Sequence, residues 1–216
     1  MKPSEILDKI LELIAAYRAA KAAKRKKVRK LKKVAICVGH SRIGDKGACS
    51  VGGVNEWCYN KEVADLLQNH LRHQGIHSIV FDDYPSESYS RAMDWLGQSI
   101  GKEKCDIAIE LHFNSYSSTK AEGYEYLHYE GSQKGKRLAT CFLNAHSETF
   151  KVQKDRGVKA VGSGQRGVSF LRSVPPPALI CEPFFGSSPK EWILFENKHA
   201  LLASVYAEAI VEYFKN

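Results

Sequence analysis

Two histidines and two glutamates stand where a metal centre would need them. His40 follows the apolar run Val34 to Val38, His112 follows the run Cys105 to Leu111, and Glu182 stops the run Ala178 to Cys181. Glu56 sits where an amphipathic stretch begins at Asn55. Hydrolytic zinc centres take three protein ligands, keep one position open for water, and need a base for that water's proton. Two His, one Glu and a further Glu are the right inventory. The spacing by itself is weak, because the four lie across about 140 residues and form no local H-E-x-x-H pair. A histidine at a strand end is more often a satisfied polar residue than a ligand.

The elements that must position these side chains are legible from periodicity. Short apolar runs read as strands at Val34 to Val38, Ile76 to Phe81, Cys105 to Leu111 and Ala178 to Cys181, Gly123 to Tyr129 reads as a strand by alternation, and Asp155 to Val161 as a short extended piece. Val168 to Leu171 reads as a further short extended piece. Helical spacing appears over Asn55 to His73, Tyr89 to Ile100 (closed by Gly101), Gly135 to Phe150, Pro189 to Glu196 and Asn197 to Phe214. Alternating β and α segments predict an α/β fold: a mixed, largely parallel twisted sheet of about six strands with helices on both faces. In such sheets sites form outside the carboxyl ends of strands, which is where His40, His112 and Glu182 fall.

At 216 residues, with 44% hydrophobic and 26% charged content, the chain fits one ordinary globular domain with an appendage. The charge is uneven. Residues 1–33 hold 12 Lys or Arg against 3 acidic residues, so the net charge of +8 comes from that segment. It reads as a basic amphipathic helix whose partner is either solvent or an anionic membrane or wall polymer. The remainder is near neutral, and no nucleic-acid partner is expected. Glu5, Asp8 and Glu12 break the apolar part of the N-terminus, so no secretory leader is read there and synthesis in the cytoplasm is expected. Six cysteines without a C-x-x-C pair are expected as free thiols. Gly162-x-Gly164-x-x-Gly167 fits a dinucleotide fingerprint but opens no long helix, and a loop is expected. His70, His73, His77, His128, His146 and His199 match no motif and are read as surface or structural.

Four segments carry a resemblance: GHSRIGDKGA with Glu56, ELHFNS, DRGVK and PALICEPFFGSS. Their order and spacing resemble the zinc-dependent N-acetylmuramoyl-L-alanine amidases (amidase type 3) of bacterial cell division and phage lysis. The resemblance implies a peptidoglycan hydrolase cutting the amide between N-acetylmuramic acid and L-alanine, with one Zn2+ per chain held by His40, Glu56 and His112. It makes Glu182 the catalytic carboxylate. Asn114, Arg156 and Arg166 become candidates for substrate binding, with a turn or solvated surface charge as the alternative. The resemblance covers Val34 to the C-terminus, so the expected domains are the basic arm, 1–33, outside it and the zinc amidase catalytic domain, 34–216; the absence of a secretory leader fits a phage or prophage lysin that reaches the cell wall after release. Two other readings are a non-catalytic wall-binding module on a degenerate amidase fold and a zinc peptidase cutting within the stem peptide.

Two positions depart from the family's pattern. Cys37-Val38 replaces the usual Asp-Pro before Gly-His, and Ser41 replaces a second Gly. The acid that would orient His40 is therefore expected to be missing. Glu110 shares a strand face with His112; it is the second candidate for an acid in the site, and a charge paired near the sheet is its expected role.

Overall fold

A computed structural model describes residues 13, 14, 17, 31–84 and 88–215. The expected N-terminal helix falls almost wholly outside them. The chain divides into two units, residues 1–31 and residues 32–216, and the sheet with its helices belongs to the second.

Six strands form one sheet: β1 (Lys33–Val38), β2 (His77–Phe81), β3 (Ile107–Leu111), β4 (Tyr124–Tyr129), β5 (Asp155–Val161) and β6 (Ala178–Glu182). Their order across the sheet is β2-β1-β3-β6-β4-β5. β2, β1, β3 and β6 are mutually parallel. β4 runs antiparallel to β6 and parallel to β5, which makes the sheet mixed but largely parallel, as expected. Among the described residues from Lys32 on, six helices lie around it: α1 (Glu56–His73), α2 (Tyr89–Glu103), α3 (Gln133–Thr149), α4 (Val168–Ser173), α5 (Pro189–Phe195) and α6 (His199–Lys215). None among the described residues is long and apolar enough to cross a membrane.

The pleat of β1 shows why both faces are covered. Val34, Ile36 and Val38 point into one core with α1, α3, α5 and α6, while Ala35 and Cys37 point into a second with α2 and α4. All three parallel strands that lead to the site are apolar along nearly their whole length, as two-sided burial requires. In α1, Tyr59, Val63, Leu67 and Leu71 recur every fourth residue and are buried. That burial anchors the helix whose first residue is Glu56. The six cysteines are free, with Cys37, Cys105 and Cys181 buried.

Two local expectations are corrected. Gly101 does not close α2; the helix runs on to Glu103 and ends at Lys104, which takes a left-handed φ of 54°. Val168 to Leu171 is not extended but lies within α4. Two adjacent apolar residues cannot distinguish a short strand from one helical turn. Here Gly167, at φ 86°, turns the chain, and Leu171 N–H bonds back to the Gly167 carbonyl.

His146, read from sequence as surface or structural, is structural. It stacks on Tyr124 with centroids 4.0 Å apart and is fully buried on α3. Gln153 Nε2 donates to the Pro183 carbonyl and to Glu191, so its Oε1 accepts from His146 Nε2 at 2.7 Å. His146 Nδ1 then accepts from the Tyr126 hydroxyl at 2.8 Å, and the ring is neutral. Burial pushes its pKa down to about 4. Above pH 6.5 the ring is neutral in both states and contributes no pH dependence. As pH falls from 6.5 towards 4, the unfolded chain takes up the proton and the folded chain does not, so stability falls. Denaturant unfolding at pH 7 and pH 5 is expected to show the native chain losing about 2 kcal/mol more than His146→Gln over that step. Equal losses would show that His146 is not held neutral.

Candidate active site

The chain leaves β1 for β2 on one side and then crosses to β3 on the other. This reversal opens a crevice at the carboxyl ends of β1 and β3, where His40 and His112 stand. Gly39 N–H bonds to the Leu111 carbonyl at 2.9 Å and His112 N–H to the Cys181 carbonyl at 3.1 Å, so the sheet ladder reaches both histidines. The Tyr84 hydroxyl donates to the Val38 carbonyl and fixes the exit of β1. His40 then takes a left-handed backbone, φ 67°, unusual for a residue with a Cβ.

Glu56 is the hub of the site. It is 3% exposed, yet its carboxylate has many partners. Oε1 accepts from Phe113 N–H at 3.1 Å and lies 2.7 Å from His112 Nδ1. Oε2 accepts from Ala48 N–H at 3.1 Å and lies 3.2 Å from His40 Nε2. One ligand atom from each of His40, Glu56 and His112 falls within 4.8 Å of the others. The remaining ring nitrogens face two more carboxylates. His40 Nδ1 is 3.2 Å from Asp45 Oδ2, and His112 Nε2 is 3.3 Å from Glu110 Oε2. Both nitrogens of each ring thus face carboxylates; with Nδ1 of His40 donating to Asp45 and Nε2 of His112 to Glu110, His40 Nε2 and His112 Nδ1, which otherwise meet Glu56, are the atoms that would turn lone pairs to a metal. The acid expected to be missing beside His40 is supplied from the loop by Asp45.

The electrostatics follow from these contacts. Burial works against charge on both histidines, but the carboxylates around them prevail and raise both pKa values, that of His112 well above 6.5. Burial likewise opposes the Glu56 charge, and the two histidines override it, holding the carboxyl far below the usual range. The set fits a zinc ion. It has the ligand types of hydrolytic zinc, and His40 Nε2 is a buried atom without a hydrogen-bond partner. Gly47 makes room for it: at φ 74°, a Cβ there would lie 2.5 Å from the His40 ring and 2.8 Å from Glu56 Oε2.

Glu182 ends β6 and lines the same cleft, a cavity of about 900 Å3. Its Oε2 is buried without a hydrogen-bond partner. Burial pushes its pKa up to about 8; His112 and Arg166 pull it down, while the charges of Glu56 and Glu125 push it up. Glu125 is the cross-strand neighbour of Glu182 on β4. Asn114 Nδ2 donates to one of its oxygens at 2.8 Å and Arg156 Nε to the other at 3.0 Å. Asn114 and Arg156, read from sequence as substrate contacts, thus direct these donors at Glu125. Arg166 lies exposed on the cleft wall beside Gln165. Sequence reasoning missed Asp45 and Glu125 altogether. The only signal for Glu125 was its place in the strand that precedes α3, and Asp45 stood within the GHSRIGDKGA segment without being singled out.

The family described as N-acetylmuramoyl-L-alanine amidase (amidase type 3) matches residues 34–212. The chain belongs to that family. It is accordingly an amidase that hydrolyses the peptidoglycan bond between N-acetylmuramic acid and L-alanine, and the family is generally zinc-dependent. No curated protein matches the sequence. Among solved structures, the amidase is similar to the catalytic domain of the CD27L endolysin targeting Clostridia difficile, at 26% identity and TM-score 0.70, with 84% of this chain and 97% of that one covered. It shares the fold of an N-acetylmuramoyl-L-alanine amidase from Clostridium difficile 630 (23% identity, TM-score 0.72, 86% and 98% covered). It also shares that of the CwlD amidase from Clostridioides difficile, solved with the GerS lipoprotein (18% identity, TM-score 0.75, 85% and 98% covered).

Proposed function

We propose that the amidase holds one Zn2+ through His40, Glu56 and His112 and that Glu182 is its catalytic base and acid. The observation that carries this reading is the convergence of three ligand atoms within 4.8 Å on the cleft that Glu182 lines. When bound, zinc supplies a Lewis acid for the amide carbonyl and acidifies water. Glu182 Oε2 takes a proton from the attacking water as the carbon–oxygen bond forms. The same oxygen returns that proton to the nitrogen of L-alanine as the carbon–nitrogen bond breaks. Asp45 and Glu56 hold the His40 ring between them. Asn114 and Arg156 keep Glu125 in place beside Glu182, and Arg166 on the cleft wall is suited to a carboxylate of the peptide stem.

Residues 34–216 then form the catalytic domain. Residues 1–33, with their basic excess, are assigned to an anionic membrane or wall polymer. The likeness to an endolysin catalytic domain supports a phage or prophage lysin, made in the cytoplasm and acting on the wall after release. The departures at Cys37 and Ser41, which motivated a non-catalytic reading, lose force because Asp45 meets His40. Two measurements made together test the assignment. Metal analysis of the purified chain is expected to give one zinc per chain, falling by at least half in His40→Ala. Mass spectrometry of digested cell walls is expected to show intact stem peptides with a free L-alanine amino terminus. Cleavage between stem amino acids, or lysis unaffected by chelator, would overturn it.

A further inference from the structure

Glu110 is a buried carboxylate in the middle of a sheet. It is 2% exposed, and its cross-strand neighbours, Cys37 on β1 and Ile180 on β6, bring it no positive charge. A charge in such a place is costly unless paired. Its ion-pair partner is His112, whose Nε2 lies 3.3 Å from Glu110 Oε2, while Nδ1 of the same ring lies 2.7 Å from Glu56. The ring rests on Gly39, where even a Cβ would approach its atoms to 2.2 Å. It is thus held from beneath and at both nitrogens.

We infer that Glu110 is a positioning residue for the metal site: it accepts the Nε2 proton of His112, fixes that tautomer, and so aims the Nδ1 lone pair at the zinc. A carboxylate behind a ligating histidine sets the ring's orientation and strengthens its donor nitrogen. Apolar packing would fill this position at lower cost, and Glu110 stands at the position of β3 nearest His112 on the face that alternation gives them both. The inference rests on the zinc reading of the site.

The test measures zinc affinity of the full chain by competition with a chromophoric chelator, with melting of the metal-free proteins alongside. Glu110→Gln keeps the shape and removes the charge. Its zinc Kd is expected to rise about 10- to 100-fold, with cooperative melting retained. Cys37→Asp placed in a Glu110→Ser background puts a carboxylate on the adjacent strand at the same register. It is expected to recover most of the affinity that Glu110→Ser alone loses. A Glu110→Gln Kd within twofold of the native value overturns the inference, as does a loss that Cys37→Asp leaves unrestored, which would assign it to packing. A native chain that takes up no zinc overturns the metal site itself and this inference with it, whereas native binding with an unaffected Glu110→Gln removes this inference alone.

Discussion

Glu182→Gln is expected to bind zinc and fold as the native chain does while losing about 1,000-fold in kcat, the scale of a general acid–base contribution. A carboxamide of nearly the same shape cannot take a proton from water. The loss should fall on kcat with KM little changed, because the group acts on the bond being broken and not on the polymer at rest. Two properties single out this carboxyl. Its Oε2 is buried in the cleft and free of any hydrogen-bond partner. Its affinity for protons is raised, to a pKa of about 8, first by burial and further by the Glu56 and Glu125 charges. A group that must accept a proton and then surrender it works best near ambient pH. Retention of a tenth or more of the native rate in the wall-digestion assay would assign the proton transfer elsewhere.

Gly39→Ala is expected to lower zinc affinity by at least 100-fold, with activity lost in proportion. The new methyl would lie 2.2, 2.5 and 2.6 Å from His112 Cε1, Nε2 and Nδ1, well inside contact distance. The backbone at Gly39 cannot retreat easily, since its N–H is bonded to Leu111 at the end of the β1–β3 ladder. The His112 ring must move instead, leaving the nitrogen that faces Glu56 off its line. Gly101→Ala is the control. It lies within α2 with no neighbour closer than 3.4 Å, so zinc affinity should stay native. Chelator competition on both variants decides the matter, and equal affinities would show that the ring has room to spare.

How much of this was legible in the sequence depends on whether the information was local. The strands that end on His40, His112 and Glu182 announced themselves because two-sided burial leaves near-continuous apolar runs, and a polar residue closing such a run stands out. Glu56 was legible because helix α1 carries a clear stripe whose first residue it is. Asp45 was not. It lies in an exposed loop with no periodicity, and only the left-handed turn at His40 brings the ring back to it. Nor could spacing reveal that Arg156 and Asn114 meet at Glu125, since that contact depends on β4 and β5 entering the sheet next to β6. Glu110 was placed on the right face by alternation, but its partner became visible only once the ring of His112 had a fixed orientation.

The reversed direction of β4 bears on how such an enzyme can change over time. Because β4 runs against β6, a residue from the body of a strand, Glu125, comes to lie beside Glu182. The wall it forms shares no segment with the one that carries His40 and Glu56. Mutation can therefore explore the shape of the wall around Arg156, adapting the enzyme to a different wall polymer as long as the Glu125 charge that acts on Glu182 is kept, while the ligand-bearing loop is left under separate selection.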